Sequence, residues 1–165
     1  GRVFNKALGG GSLLDIGIYP IYLSLITLGI PTQIEALSRQ TKEGVDTYCS
    51  ILADYSSGEK AILESTFEAV TPTEAHIYGS NGSIILHKPF HHSKTITIET
   101  SEEGRRSIVV DYIGNGYYHE IDEVTRCLKN GLVQSELMSH QDSLNLMSII
   151  EQVKEEIGLD YCDYS

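Results

Sequence analysis

Basic side chains are scarce in this chain: 12 Lys and Arg stand against 23 Asp and Glu, a net charge of −11 over 165 residues. Without a cationic surplus there is little to neutralise a phosphate backbone or an anionic bilayer. The balance therefore argues against a nucleic-acid partner and a membrane-surface partner alike. Cysteine is sparse too. Cys49, Cys127 and Cys162 are widely spaced and odd in number, which suits reduced thiols in a cytoplasmic protein better than a disulfide framework. No charged leader or cleavage site opens the sequence, so secretion is not indicated.

The standard chemical fingerprints are missing as well. No GxGxxG occurs, and the pairs Gly79/Gly82 and Gly114/Gly116 fail its spacing. A Walker-type phosphate loop, CxxC, HExxH and the GxSxG elbow are likewise absent. His119-Glu120 is followed by Glu123 rather than by a second histidine, so no zinc motif forms and no metal is expected.

What is present is an ordinary globular composition, 41% apolar and 8% aromatic, long enough for one domain over residues 1–165 with a real core. Residues 12–28 read as a helix bent near Pro20 and stopped by Gly29 and Pro31. The apolar run Leu13 to Ile30 approaches the length of a membrane span, but Asp15, Gly17, Pro20 and several hydroxyls within it favour a buried core helix.

Strand signals follow. Val45 to Tyr55 and Ala61 to Phe67 alternate, with Asp46 on the polar set of the first. Glu74 to Gly79 and Ser83 to His87 flank an Asn81-Gly82 hairpin signal, and Thr95 to Glu99 and Ser107 to Tyr112 complete the series. Two helices close the chain. One spans about Tyr117 to Lys129. The other spans Gln141 to about Ile157, with Ser139 and Asp142 as a capping pair and a stripe of Leu146, Ile149, Ile150, Val153 and Ile157. Strands in a run, then helices, predict an α+β fold: an open, mainly antiparallel sheet of six or seven strands with helices on one face. Both alternation sets of the first two strands contain apolar residues, Tyr48, Leu52 and Ile62 among them. The open face is therefore expected to form a homodimer interface.

The richest stretch is GGGSLLDIGIYPIYLSLITLG, Gly9 to Gly29. Asp15 and Tyr19 are four residues apart, a spacing that puts both on one helix face. Asp is a poor helix-interior residue and costly in an apolar stretch without a partner. The pair suits a neutral phenol that gives a proton or hydrogen bond to a substrate oxygen. The plainer alternative is that Asp15 bonds locally and Tyr19 packs. The glycines before them serve either as a flexible loop or as backbone that approaches a flat ligand. His119, in the first turn of its predicted helix, is a candidate for substrate hydrogen bonding or for a structural role. The candidate catalytic residues are thus Tyr19 and Asp15, and the candidate substrate-binding residues are Gly10, Gly11 and His119.

Three segments carry a family resemblance: GGGSLLDIGIYPIYL, YGSNGSIILHKPF and GNGYYHEIDEVTRCLKNG. In order, and over nearly the whole chain, they resemble the C-terminal half of the Gfo/Idh/MocA oxidoreductases, within them the group related to dimeric dihydrodiol dehydrogenase. Many relatives have His where this chain has Tyr19. The resemblance implies the second domain of a two-domain enzyme. Its Rossmann domain, which binds NAD or NADP and carries a catalytic lysine in a Glu-Lys-Pro segment, has no counterpart here. The parent is then expected to move a hydride to or from a hydroxyl-bearing carbon of a sugar, cyclitol or diol. This chain would supply the substrate pocket and the dimer interface, and alone would be inactive and bind no cofactor. A stand-alone, non-catalytic binding or dimerisation module of the same fold is the other reading.

Overall fold

The computed structural model describes residues 1–114 and 116–161; Cys162 lies outside them. The backbone groups into two compact units, residues 1–70 with 140–165, and residues 71–139.

In the first unit the strands β1 (Gln33–Gln40), β2 (Asp46–Asp54) and β3 (Lys60–Thr66) form an antiparallel sheet in that order. The alternation expected for β2 is real. Cys49, Ile51 and Ala53 are buried, as is Tyr55 beyond them, while Leu52 is exposed. Ile51 sits between Ala36 on β1 and Leu63 on β3, so one row crosses the sheet on the inner face. Helices α1 (Ile18–Leu28) and α3 (His140–Glu156) pack on each other, α1 also against β3 and α3 against β1. Ile21, Ser24 and Leu25 are the buried positions of α1. Leu146, Ile149, Ile150 and Val153 are those of α3, the stripe its 3.6-residue period marks out. Each such side chain contributes about 1.5–3 kcal/mol by leaving water. The end of α3 is tied down by Gln40, whose Nε2 donates to the Ile157 carbonyl at 2.8 Å.

Residues 6–28 are apolar and long enough to cross a membrane by length and composition. Their fully buried members Leu13 and Ile21 belong to the core of this unit. The helix is irregular where its sequence suggests a bend. Leu13–Gly17 forms a π-helical turn, and α1 begins only at Ile18. Pro20 has no N–H to give back along the helix, so the widened turn falls just before it.

Two details of this unit depart from the sequence reading. β1 carries no strand signal of its own. Among the described residues it is an edge strand paired only to β2, with Ala36 as its single buried residue and Leu37 on the open side. Asp46, expected on the polar set, is fully buried. The pairing jumps from Arg39↔Tyr48 to Gln40↔Asp46, a bulge that leaves Thr47 unpaired and reverses which face Asp46 points to.

The second unit is a four-stranded antiparallel meander of β4 (Ala75–Gly79), β5 (Gly82–Leu86), β6 (Thr95–Thr100) and β7 (Gly104–Val109). Among the described residues there are thus seven antiparallel strands, three in one sheet and four in the other. Ile77, Ile84 and Ile98 pair across one face, as do Leu86, Ile96 and Ile108. On the other face His87 Nε2 lies 2.8 Å from Thr97 Oγ1, and Thr97 Oγ1 lies 3.1 Å from Ser107 Oγ. The β4–β5 hairpin turns on Ser80-Asn81 rather than Asn81-Gly82, because Gly79 already pairs with Gly82. Gly82 is needed for another reason: at φ 157° a Cβ there would run into the Glu99 carbonyl of β6. β7 begins three residues earlier than its apolar residues suggest, since the Thr100↔Gly104 pairing fixes the register. Helix α2 (Tyr117–Lys129) follows as expected.

Candidate active site

The first unit places Gly10, Gly11, Asp15 and Tyr19 on one continuous segment. Two short 3-10 turns, Arg2–Phe4 and Lys6–Leu8, lead into the glycines. The glycine backbone is fully engaged inside the protein. The Gly10 amide donates to the Asn5 carbonyl at 3.0 Å and the Gly11 amide to Val3 at 2.8 Å. The Gly10 carbonyl accepts from the Tyr161 hydroxyl, and the Gly11 carbonyl accepts from the Asp15 amide at 3.2 Å. A Cβ at Gly10 would lie 2.7 Å from the Val3 carbonyl oxygen, and one at Gly11, where φ is +122°, would run into the Asp46 carboxylate. Close internal packing therefore gives these two glycines their reason.

Asp15 lies in the π-helical turn and pairs with the Arg2 guanidinium, its carboxylate accepting from Nη2. Tyr19 follows in the first turn of α1 and is 45% exposed. Arg2 supplies the charge partner that an acid in this apolar stretch requires, and sequence spacing does not reveal it.

The base of the segment is buried and polar. Ser12 Oγ donates to Asp46 Oδ2 at 2.7 Å, and the Leu13 amide donates to the same oxygen at 2.8 Å. Ser12 Oγ also lies 3.1 Å from Ser65 Oγ on β3. The Asp46 charge and burial push the Tyr161 phenol up to about 12, burial being the larger cause. They push the Cys49 thiol up to about 12 in the same order. An Asp heading a strand, where Asp is disfavoured, is the one sequence signal that points to Asp46.

His119 belongs to the second unit. Its Nε2 accepts from the Ile113 amide at 3.3 Å, closing the turn before α2. Among the described residues no group of three or more His, Cys, Asp or Glu is arranged to hold a metal ion.

The α+β fold, two antiparallel sheets with helices, is that of an oxidoreductase C-terminal domain. The family model described as "GFO/IDH/MocA C-terminal domain" matches residues 1–85, and the chain belongs to this family. It is 33% identical to a trans-1,2-dihydrobenzene-1,2-diol dehydrogenase of Xenopus laevis over 97% of this chain and 51% of that protein. It is 25% identical to the scyllo-inositol 2-dehydrogenase (NADP(+)) IolU of Bacillus subtilis over 97% of this chain and 48% of the other. The fold matches the aldose-aldose oxidoreductase from Caulobacter crescentus with TM-score 0.79 at 20% identity, over 94% of this chain and 48% of that one. It matches the 3-ketoreductase KijD10 from Actinomadura kijaniata, solved with NADP and TDP-benzene, with TM-score 0.80 at 21% identity, over 95% and 49%. The chain spans about half the length of the curated relatives it matches.

Proposed function

We propose that this chain is the substrate-side and oligomerisation half of a cytoplasmic NAD(P)-dependent oxidoreductase acting on a hydroxyl or carbonyl carbon of a sugar, cyclitol or diol. The observation that carries the reading is the Asp15–Tyr19 pair: an acid held by Arg2 and a half-exposed phenol one turn later, within the residues that match the family model. The diol, inositol and aldose chemistry in the relatives' names supports the substrate class.

The glycine loop fits a dinucleotide poorly, because the amides of Gly10 and Gly11 are spent on Asn5 and Val3. The reading therefore assigns the nicotinamide cofactor, which supplies or takes the hydride, to another half of the parent. This chain does the proton work at the substrate oxygen. In the reducing direction the Tyr19 hydroxyl gives its proton to that oxygen as a hydroxyl forms; in oxidation it takes the proton back. Asp15, paired with Arg2, contributes a carboxylate from the turn that precedes the phenol. Gly10 and Gly11 hold the segment in place. The open face of the three-stranded sheet, with Leu37 76% and Ile62 84% exposed, serves a two-fold homodimer.

Turnover of a panel of polyols, aldoses and diols by the full-length parent, with NAD and with NADP, tests the reading. Reduction of either nucleotide by one of these classes is the expected result, and none by any of them contradicts it. Light scattering on the 165-residue chain tests the dimer, and a monomer mass of 18.2 kDa at micromolar concentration rejects it.

A further inference from the structure

We infer that Asp46 is a positioning residue: from the start of β2 it fixes the helical turn that presents Asp15 and Tyr19. The inference rests on the reading of Tyr19 as the proton donor.

The turn Leu13–Gly17 lacks the usual local cap. Ser12 stands at its N-cap position, where a serine hydroxyl ordinarily accepts from an amide two or three residues on, yet it makes no such bond. Its hydroxyl is diverted sideways to Asp46 Oδ2 at 2.7 Å, and that same oxygen takes the Leu13 amide at 2.8 Å. The cap is thus supplied by a residue 33 positions away in the chain. Its negative charge sits at the positive end of the helical segment. Asp46 is fully buried, as are Ser12 and Leu13, so the anchor is rigid and shielded from water. Ser65 extends it to β3, with Ser65 Oγ 3.1 Å from Ser12 Oγ.

Gly11 completes the linkage. Its missing Cβ is what lets the Asp46 carboxylate come this close, and a side chain there would also meet the Tyr161 hydroxyl at 2.8 Å. The Gly11 carbonyl then receives the Asp15 amide at 3.2 Å. From the carboxylate of Asp46 to the backbone of Asp15, every step is a hydrogen bond or a peptide bond. A shift of the Asp46 side chain therefore moves the turn on which Asp15 and Tyr19 sit. Misplacing a reacting group by about 1 Å costs on the order of 10²-fold in rate.

The test compares Asp46→Asn, Asp46→Leu and Ser12→Ala in the full-length parent, with Tyr19→Phe as reference and circular dichroism as the fold check. Asp46→Asn keeps one acceptor oxygen for the Leu13 amide; Asp46→Leu keeps none. Positioning predicts that kcat falls stepwise, about tenfold for Asn and about 10²-fold for Leu, while KM for the nicotinamide nucleotide stays constant. Folded Asp46→Leu and Ser12→Ala enzymes with wild-type kcat overturn the inference while Tyr19→Phe is impaired. Full turnover in Tyr19→Phe instead removes the reading of Tyr19 itself. Amide hydrogen exchange on the unmutated chain needs no variant. Slow exchange at Leu13 and Asp15 is expected, and exchange at Leu13 as fast as in the exposed 56–58 turn overturns the anchor.

Discussion

Glu123 and Arg126 face each other one turn apart on α2 through two parallel hydrogen bonds, Nε to Oε2 and Nη2 to Oε1, each 2.8 Å. The Ser135 hydroxyl donates to the same carboxylate, so Glu123 joins α2 to the segment that follows it. The Arg126 bond, then the Ser135 bond, hold the Glu123 carboxyl down at about 2. A free glutamate has a pKa of about 4.3. The depressed folded value means that its stabilisation is complete above that pH and is lost as pH falls towards 2. We expect the urea midpoint to fall between those limits, and to fall less steeply in Glu123→Gln. Parallel acid limbs in the two proteins would contradict this.

The opposite limb reports on β2. Burial, then the Asp46 charge, raise the Cys49 thiol from an ordinary 9.0 to about 12. A raised folded value stabilises below the unfolded pKa and loses that contribution as pH climbs through the folded one. Stability should thus decline between about 9 and about 12. Cys49→Ser should flatten the decline. At pH 8, iodoacetamide should leave Cys49 unmodified in the native chain and alkylate it in urea, as read by peptide mass spectrometry.

Ile150 lies at the centre of the α3 stripe and is 1% exposed. Ile150→Ala should cost about 2–5 kcal/mol, the transfer loss plus the cavity left behind. Leu144, on the same helix but 63% exposed, should cost within about 0.5 kcal/mol as Leu144→Ala, as expected of a surface change. Urea denaturation of both variants decides the contrast, and equal losses would place the stripe elsewhere.

Local periodicity made much of this fold readable. The Leu146, Ile149, Ile150, Val153 spacing carries α3, and Cys49, Ile51 and Ala53 carry β2. Asp15 and Tyr19 stood out because an acid and a phenol are unusual in an apolar helix. What stayed hidden depends on partners distant in sequence. β1 is a strand because β2 pairs with it, although QIEALSRQ has little alternation. Asp46 turns inward only through a bulge set by Arg39 and Gln40. The Arg2–Asp15 ion pair requires the two leading 3-10 turns to fold Arg2 back over 13 residues. Gly10 and Gly11, read as backbone open to a ligand, are explained by the atoms of Val3, Asn5 and Asp46 that crowd them.

The central claim is that Tyr19 moves the proton. Steady-state kinetics of Tyr19→Phe in the full-length parent tests it most directly. The substitution removes one hydroxyl and keeps the ring. We expect kcat to fall by roughly two to four orders of magnitude, the range for a positioned acid or base, with nucleotide binding unchanged. A Tyr19→Phe enzyme that turns over at the wild-type rate would contradict the account.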